Sequence, residues 1–369
     1  MKKLKMLWQR YKKSSKKKKF LIGVILVIFI LASGTLGFLV ASNLYAANKA
    51  FSPEGLLISG NPREPRNFPN PINGLLYTQT EAGKWKNDLP LAVVVENHTE
   101  ARPQSGLSKA DLVYEALAEG GITRFLAIYL AADSKLGPVR SNRPYFLDWV
   151  KEYGAGYGHV GGSPKAQSLL KPYRIKDLDQ FGLGPPTYER SAARFAPHNV
   201  YTTTKKLRAA AKGKGYKGPV EIKILEFSDE EPELEERPKK FELSIPYPAY
   251  QMYVLWRYDR KSNTYLRYNG GIAHKDKESG KQLFTKTIIV QFVKTSLEAS
   301  GSGRLKMSII GSGKAQVFKD GKVITGTWKK KSRAERTRFF DKNGKEIEIN
   351  RGKIWISVVP ADYKVSIKK

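Results

Sequence analysis

The sequence predicts one membrane-spanning helix followed by two folded parts, the first of class α/β or α+β and the second mostly β. Three observations support this prediction. A run of 23 uncharged residues covers positions 20–42. Apolar, β-branched runs alternate with helix-type periodicity between positions 89 and 227. Beyond position 241, short strand-type runs separated by hairpin turns dominate.

The composition of the chain excludes several classes of function. The 369 residues include 65 Lys and Arg against 34 Asp and Glu, a net charge of +31. There is no cysteine, which excludes disulfides, thiol catalysis, cysteine-ligated zinc and a lipid-modified cysteine. Hydrophobic residues make up 41% of the chain, which is enough for a buried core in the residues that follow the membrane segment. Oxygen and imidazole chemistry therefore remains for any site.

The N-terminus predicts a membrane anchor. Residues 1–19 form a basic cytoplasmic segment with ten Lys or Arg, and residues 20–42 could form a helix of roughly 34 Å, long enough to cross a bilayer. Because the lysines precede the span, the positive-inside rule places the bulk of the chain outside the cell membrane. The alternative is a cleaved signal peptide, for which Leu44–Ala47 offers only a poor cleavage site. A lysine cluster beside a membrane meets anionic lipid, so no nucleic-acid partner is predicted.

Between the anchor and the C-terminal part, the pattern predicts a stalk and a mixed domain. Five prolines in residues 43–88 indicate an extended stalk. Residues 89–227 form the predicted N-terminal α/β domain, in which Glu119-Gly120-Gly121 would close a hairpin. Its predicted strands are Leu89 to Glu96, Ala110 to Ala118 and Ile122 to Leu130, and its predicted helices are Tyr145 to Tyr153, one beginning at Ser163, and Thr202 to Lys212.

The hydrophobic pattern of the sequence changes to short strand-type runs in the last third of the chain. Residues 228–240 carry six acidic residues and two prolines, which indicates a linker or exposed loop. Residues 241–369 form the predicted β-rich C-terminal domain, with hairpin turns at Asp320-Gly321 and Asn343-Gly344. The predicted strands are Val254 to Tyr258, Thr264 to Arg267, Thr287 to Val293, Arg304 to Ile310, Ala315 to Phe318, Val323 to Trp328, Arg338 to Phe340, Glu346 to Ile349 and Lys353 to Val359.

The first domain concentrates the polar residues that could form a site. Its cations are mostly arginine, whose planar fork suits bidentate recognition of phosphate or carboxylate. The sequence Gly161-Gly162 before a capped helix would leave backbone N–H groups for an oxyanion. Alternatively, some arginines pair with Glu115, Glu119 or Asp148 and support the fold. The candidate ligand-binding residues are Glu96, Asn97, Arg102, Asp111, Arg124, Arg140, Arg143, Gly161, Gly162, Ser163 and Asn199.

Three histidines in the same domain are candidate catalytic bases. His98, His159 and His198 each lie beside a predicted strand end or turn, so they could share a cleft, or each could be structural. No metal-binding spacing such as H-x-x-x-H occurs, so no metal is assigned. A divalent cation with oxygen ligands near Asp111 or Glu96 has no motif in its support. Ser163 fits a helix cap better than a nucleophile.

Several uncommon motifs carry a family resemblance. They are ENHTEARPQSGLSKADLVYEALAEGGITRFLAIY (Glu96 to Tyr129), LGPVRSNRPYF (Leu136 to Phe146), HVGGSP (His159 to Pro164), APHNVYT (Ala196 to Thr202) and YLRYNGGIAHKD (Tyr265 to Asp276). With them the chain resembles the YerB-like extracytoplasmic proteins of Gram-positive bacteria over roughly residues 76–360. The resemblance implies an N-terminal and a C-terminal family domain that meet near residues 215–240, and it implies no established activity. Some relatives are lipoproteins, whereas this chain lacks the cysteine that such a protein needs.

Three functions are compatible with the sequence. The leading hypothesis is a membrane-anchored cell-envelope protein that binds an anionic wall polymer or a polyprenyl phosphate precursor through Arg102, Arg124, Arg140 and Arg143. The second is an enzyme that transfers or hydrolyses a phosphoryl group of such a precursor, with a histidine as general base. The third is a non-catalytic scaffold that docks other envelope proteins through its β-rich domain.

Overall fold

The computed structural model describes residues 64–299 and 301–369, and residues Pro65–Lys369 form one compact unit. The predicted cytoplasmic segment, the predicted span at 20–42 and the first part of the predicted stalk lie outside the described residues. Within the described part, no helix has the length and apolar character needed to span a membrane.

In the part of the chain that the structure describes, five short α-helices accompany the strands. Helix α2 (Pro144–Glu152) has Pro144 at its first position and buries Phe146, Trp149 and Val150 on one face, which confirms the helix predicted from that spacing. The helix predicted near Thr202 is present as α5, with the Thr203 side chain accepting from the Lys206 N–H. The helices are α1 Gln79–Gly83, α2 Pro144–Glu152, α3 Pro164–Leu169, α4 Gln180–Leu183 and α5 Thr204–Gly213.

Between residues 64 and 220 the structure describes ten strands. The fully buried apolar runs form the longest of them, since a strand covered on both faces has no polar position to place in solvent. The strands are β1 Phe68–Pro69, β2 Leu76–Tyr77, β3 Leu91–Glu96, β4 Leu112–Leu117, β5 Thr123–Tyr129, β6 Lys135–Leu136, β7 Gly156–His159, β8 Lys176–Asp179, β9 Glu189–Arg190 and β10 Val200–Thr203.

Fifteen strands follow, so the described residues are mostly β with few helices. They are β11 Phe227–Ser228, β12 Glu242–Ile245, β13 Val254–Asp259, β14 Thr264–Asn269, β15 Ile272–Ala273, β16 Phe284–Thr285, β17 Thr287–Val293, β18 Thr295–Leu297, β19 Leu305–Met307, β20 Gly311–Lys319, β21 Lys322–Lys330, β22 Arg338–Asp341, β23 Ile349–Asn350, β24 Ile354–Pro360 and β25 Ser366–Lys368. The predicted Asp320-Gly321 hairpin turn is confirmed between β20 and β21, with positive φ at both residues.

The largest sheet contains strands from both halves of the chain. Its ten strands run in the order β22-β21-β20-β17-β24-β4-β5-β3-β7-β8. The halves meet where β24 pairs with β4 in parallel, from Ile354 opposite Leu112 to Val358 opposite Ala116. A second sheet, in the order β15-β14-β13-β12-β25 with β16 beside β14, belongs to the C-terminal half. The sequence predicted separate domains, whereas β17 and β24 of the second half extend the sheet of the first.

The end of the predicted stalk is folded onto this unit. Ile72 and Trp85 are buried in the core, and α1 begins with a capping box made by Thr78 and Glu81. The side-chain amides of Asn70 and Asn73 donate to Asp111 Oδ1 at 2.9 and 2.8 Å. Pro69 and Pro71 therefore belong to a short hairpin of β1 and β2.

Candidate functional site

Three arginines share one carboxylate at the tip of the β4–β5 hairpin. Arg143 Nε and Nη2 donate to the two carboxylate oxygens of Glu119, each at 2.6 Å, in a bidentate pair. Arg124 Nη2 lies 3.5 Å and Arg304 Nε 3.9 Å from the same carboxylate. We refer to Arg124, Arg143 and Arg304 around Glu119 as the arginine cluster. The cluster holds more positive than negative charge on these four side chains.

The fold fixes each member of the arginine cluster from a different element. Arg124 lies on β5 directly after the turn that contains Glu119, and Arg143 precedes α2 as its N-cap residue. Arg304 comes from the C-terminal half, next to β19. The sequence-predicted residues Arg124 and Arg143 are therefore brought together. Arg304 was not among the predicted residues, because it follows a Ser- and Gly-rich segment in which no local pattern indicates a site.

The side chains of the arginine cluster shift one another's pKa values. Burial, followed by the charge of Arg143, lowers the pKa of Arg124 to about 10, and Arg140 contributes in the same direction. Burial alone would raise the pKa of Glu119, but the hydrogen bond and charge of Arg143 and the charge of Arg124 hold it below its usual value. An anion added here would relieve the repulsion among the guanidinium groups.

A second cluster forms where β3 ends. Glu96 is 4% exposed, and its carboxylate pairs with Arg140 Nε at 2.9 Å and accepts from His198 Nδ1 at 2.9 Å. The other ring nitrogen of His198, Nε2, lies 3.1 Å from Glu100 Oε2. The His98 ring stacks on the His198 ring with 4.6 Å between their centroids. We refer to Glu96, His98, Glu100 and His198 as the histidine cluster.

Two loops position the histidine cluster. Arg194 Nη2 donates to Pro103 O at 2.8 Å and Arg194 Nη1 donates to Ala101 O, so the loop that carries His198 is held against the turn that carries His98. Asn199, predicted as a ligand-binding residue, accepts from Arg190 Nη1 at 2.8 Å and supports the same loop. Two of the three predicted histidines are therefore in contact. Glu100 was not predicted, although its position two residues after His98 could have indicated it.

Other predicted ligand-binding residues have partners inside the fold. Arg102 donates to the side-chain oxygen of Asn97 at 3.1 Å and to Asn97 O at 2.9 Å. Burial, followed by the charge of Arg267, lowers the pKa of Arg102 to about 10. Asp111 accepts from Asn70, Asn73 and the Leu130 N–H, the last at 2.7 Å. These contacts give Arg102, Asn97 and Asp111 a structural role.

The third histidine lies in a separate, fully buried place. His159 Nδ1 is 2.8 Å from Gly161 O, and Nε2 is 2.9 Å from Asp177 Oδ1, so both ring nitrogens have partners. The Gly161 N–H, predicted to be free for an oxyanion, donates to Asp179 Oδ1 at 2.8 Å. Gly161 has φ of +53°, and a Cβ there would lie 2.8 Å from the Phe181 ring. Gly162 pairs with Asn142 in an isolated bridge, and Ser163 caps α3.

The contact between His159 and Asp177 predicts a dependence of stability on pH. Burial would raise the pKa of Asp177, but the hydrogen bond and charge of His159 lower it overall. This contribution is complete above the unfolded pKa of about 4 and is lost as pH falls through the lowered folded value. We expect Asp177→Asn to cost about 1 kcal/mol at neutral pH and almost nothing in acid. Urea denaturation of the wild type and of Asp177→Asn at neutral and at acid pH measures this loss of stability. An equal loss at the two pH values would contradict the prediction.

Comparisons with known proteins identify relatives over most of the described residues. Residues 77–217 match the N-terminal domain, and residues 243–356 the C-terminal domain, of a "Protein of unknown function (DUF3048)". The "Putative lipoprotein YerB" of Bacillus subtilis (strain 168) is 35% identical over 310 residues, which cover 81% of this chain and 88% of the relative. The crystal structure of YerB protein from Bacillus subtilis covers 82% of this chain and all of its own, with a TM-score of 0.73 and 33% sequence identity.

Proposed function

Because this chain belongs to the YerB-like family, which is defined by its two DUF3048 domains, we propose that it is an extracytoplasmic protein of the cell envelope. The support comes from the relative, which is named "Putative lipoprotein YerB". This chain has no cysteine to carry a lipid. We therefore assign the membrane attachment to residues 20–42, whose 23 uncharged residues follow ten basic ones.

The ligand that we propose is a phosphate-bearing wall polymer or its lipid-linked precursor. The single observation that carries this proposal is the sharing of the Glu119 carboxylate by Arg124, Arg143 and Arg304. Guanidinium forks match phosphate oxygens, and here they are held by β5, by α2 and by the segment before β19. Arg140 lies near enough to add its charge to that of Arg124.

The arginine cluster also provides access for a large ligand. Arg304 is 30% exposed and Glu119 26% exposed, whereas Arg143 is 9% exposed. A polymer can therefore reach the outer edge of the cluster while the buried arginines fix its geometry. A phosphate group that displaces Glu119 from one guanidinium would gain a charge-assisted contact without any new side chain being ordered.

We expect Arg304→Gln to weaken binding of polyglycerol phosphate by about tenfold, since one charge-assisted contact is lost. The measurement is isothermal titration of the full chain in detergent, with EDTA present and at several salt concentrations. A parallel titration with detergent-dispersed polyprenyl phosphate separates the polymer from the lipid precursor as ligand. A neutral glucan should not bind.

Two further variants make this test specific. Arg257→Gln also removes one positive charge, at a half-exposed arginine of β13 whose Nε lies 2.8 Å from the Glu242 carboxylate. This variant should bind polyglycerol phosphate like the wild type. Glu119→Gln removes the competing carboxylate and should tighten binding. Equal weakening by Arg304→Gln and Arg257→Gln would mean that only net charge matters, and the proposed site would then be wrong.

One observation favours an enzymatic alternative. The buried Glu96 carboxylate fixes His198 through Nδ1, as a carboxylate does for an imidazole that acts as general base. His159, fully buried with both nitrogens bonded, offers no such nitrogen to a ligand. Incubation of the full chain with the lipid precursor, in EDTA and separately with added Zn²⁺, distinguishes the two functions, because only an enzyme would release a dephosphorylated or transferred product.

A further inference from the structure

The histidine cluster contains three potential metal ligands that face one another. One ligand atom each from His98, Glu100 and His198 lie within 4.8 Å of one another. Two atoms that ligate the same zinc ion, each about 2.1 Å from it, are at most about 4.2 Å apart. The His98 ring stacks on the His198 ring at an angle of 18° between planes, so it must turn to direct a nitrogen at a shared ion, and it is only partly buried. Closing the remaining distance also takes a rotation of the Glu100 side chain. Glu100 can make that rotation because it is 67% exposed.

The contact between His198 and Glu100 needs a positive charge between its two atoms. His198 Nδ1 donates to the buried Glu96 carboxylate, which leaves Nε2 as the nitrogen directed toward Glu100. An unprotonated Nε2 and a carboxylate oxygen both carry lone pairs, and these two lie 3.1 Å apart. Either a proton or a metal ion must therefore lie between them.

The surroundings of His198 are those of a metal-binding imidazole. Ligating histidines generally donate their second nitrogen to a carboxylate, which fixes the ring and raises its basicity. Glu96 takes this position, and Arg140 in turn holds Glu96 with 2.9 Å between Nε and Oε1. From these contacts we propose that His98, Glu100 and His198 bind a divalent transition-metal ion, with Zn²⁺ as the ion of best fit.

The ligand types select the class of metal. Two imidazoles with one carboxylate suit zinc and its neighbours, whereas Mg²⁺ and Ca²⁺ prefer sets of oxygen ligands. Three protein ligands leave a fourth position open, and the exposed side of Glu100 gives solvent access to it. This proposal does not depend on the arginine cluster, because the two clusters use different side chains.

The test is a titration of Zn²⁺ into the full chain in detergent, after treatment with EDTA and dialysis, with no polymer present. We expect saturable binding of about one ion per chain, not displaced by excess Mg²⁺. Glu100→Gln is the variant that cannot disturb the core, because the side chain is mostly exposed. It should weaken binding by more than tenfold, and His198→Gln should abolish it. Glu96→Gln should weaken it by about 10–100-fold, since only the support of His198 is lost.

A matched control and a second measurement complete the test. Glu189→Gln changes a half-exposed carboxylate on β9 and should bind Zn²⁺ like the wild type. Added Zn²⁺ should raise the melting temperature of the wild type and not that of Glu100→Gln. The proposal is overturned if the wild type takes up no Zn²⁺ saturably, or if Glu100→Gln and His198→Gln take it up unchanged. Neither result bears on polymer binding, which is measured in EDTA.

Discussion

Replacing Arg267 with methionine is expected to lower the free energy of unfolding by about 3–5 kcal/mol. Arg267 and Glu115 are both fully buried, and Arg267 Nη2 donates to the two carboxylate oxygens at 2.8 and 2.9 Å. Methionine would fill much of the same volume but would leave the Glu115 carboxylate without its counter-ion. The remaining donors to that carboxylate are Thr123 Oγ1 and Trp355 Nε1, each at 3.0 Å.

The surroundings of Arg267 explain why its loss is costly. The guanidinium carbon lies 4.5 Å from the ring centre of Trp355, 5.3 Å from that of Trp256 and 5.6 Å from that of Phe125. These rings supply cation–π attraction where, within the described residues, Nε and Nη1 make no hydrogen bond. The pair also joins the two family domains, since Glu115 belongs to the first and Arg267 to the second.

Urea denaturation of the two single variants and the double variant tests this prediction. The double variant Arg267→Met with Glu115→Leu removes both charges of this pair, so its stability should return close to that of the wild type. The pair would be unimportant if Arg267→Met alone unfolded at the same urea concentration as the wild type.

The second large effect is expected at a second buried ion pair between the halves. Lys330 Nζ lies 2.8 Å from Glu152 Oε1, and both side chains are fully buried. Lys330→Met is expected to cost about 3 kcal/mol. This loss lies at the lower end of the range of about 3–5 kcal/mol for breaking a buried ion pair, because Glu152 keeps other donors. It also accepts from Tyr114 OH at 3.0 Å and from Thr337 Oγ1 at 2.7 Å.

A double variant and an exposed pair serve as controls. Adding Glu152→Gln to Lys330→Met removes the uncompensated charge and should recover part of the lost stability. Lys345→Met breaks an exposed pair with Glu348, in which the lysine is 76% exposed, and should change stability by less than about 0.5 kcal/mol. Equal effects of Lys330→Met and Lys345→Met would contradict the importance of burial.

Local patterns predicted the elements of this fold well and their partners poorly. The β-branched run Thr287–Val293 is a strand with those same bounds, because alternation and burial act within a few residues. The pairing of β24 with β4 joins residues about 240 positions apart, and no local pattern encodes it. Separate domains were therefore predicted where the structure has one shared sheet.

In the candidate site too, single residues could be predicted from the sequence, but their partners could not. Arginine enrichment indicated Arg124 and Arg143, and the alternative that such arginines pair with Glu119 is confirmed. The sequence could not show that one carboxylate holds both. His98 and His198 are 100 positions apart and meet only because Arg194 fixes the loop between them and the turn. A usable signal was present for Glu115 and Arg267, since each is a charged residue within a strand of buried residues and needs a partner.

The parallel pairing of β24 with β4 means that the largest sheet cannot be completed until the end of the chain has been synthesised. Strand β4 is complete about 240 residues before Ile354, its first partner in β24, has been made. At about 5–20 residues per second, that interval is roughly 10–50 s. Throughout it, the six buried residues of β4 present an unpaired edge of the kind that joins other chains. A chain that ends before β24 would keep that edge of β4 unpaired. We expect such a chain to be degraded rather than to work as a smaller protein.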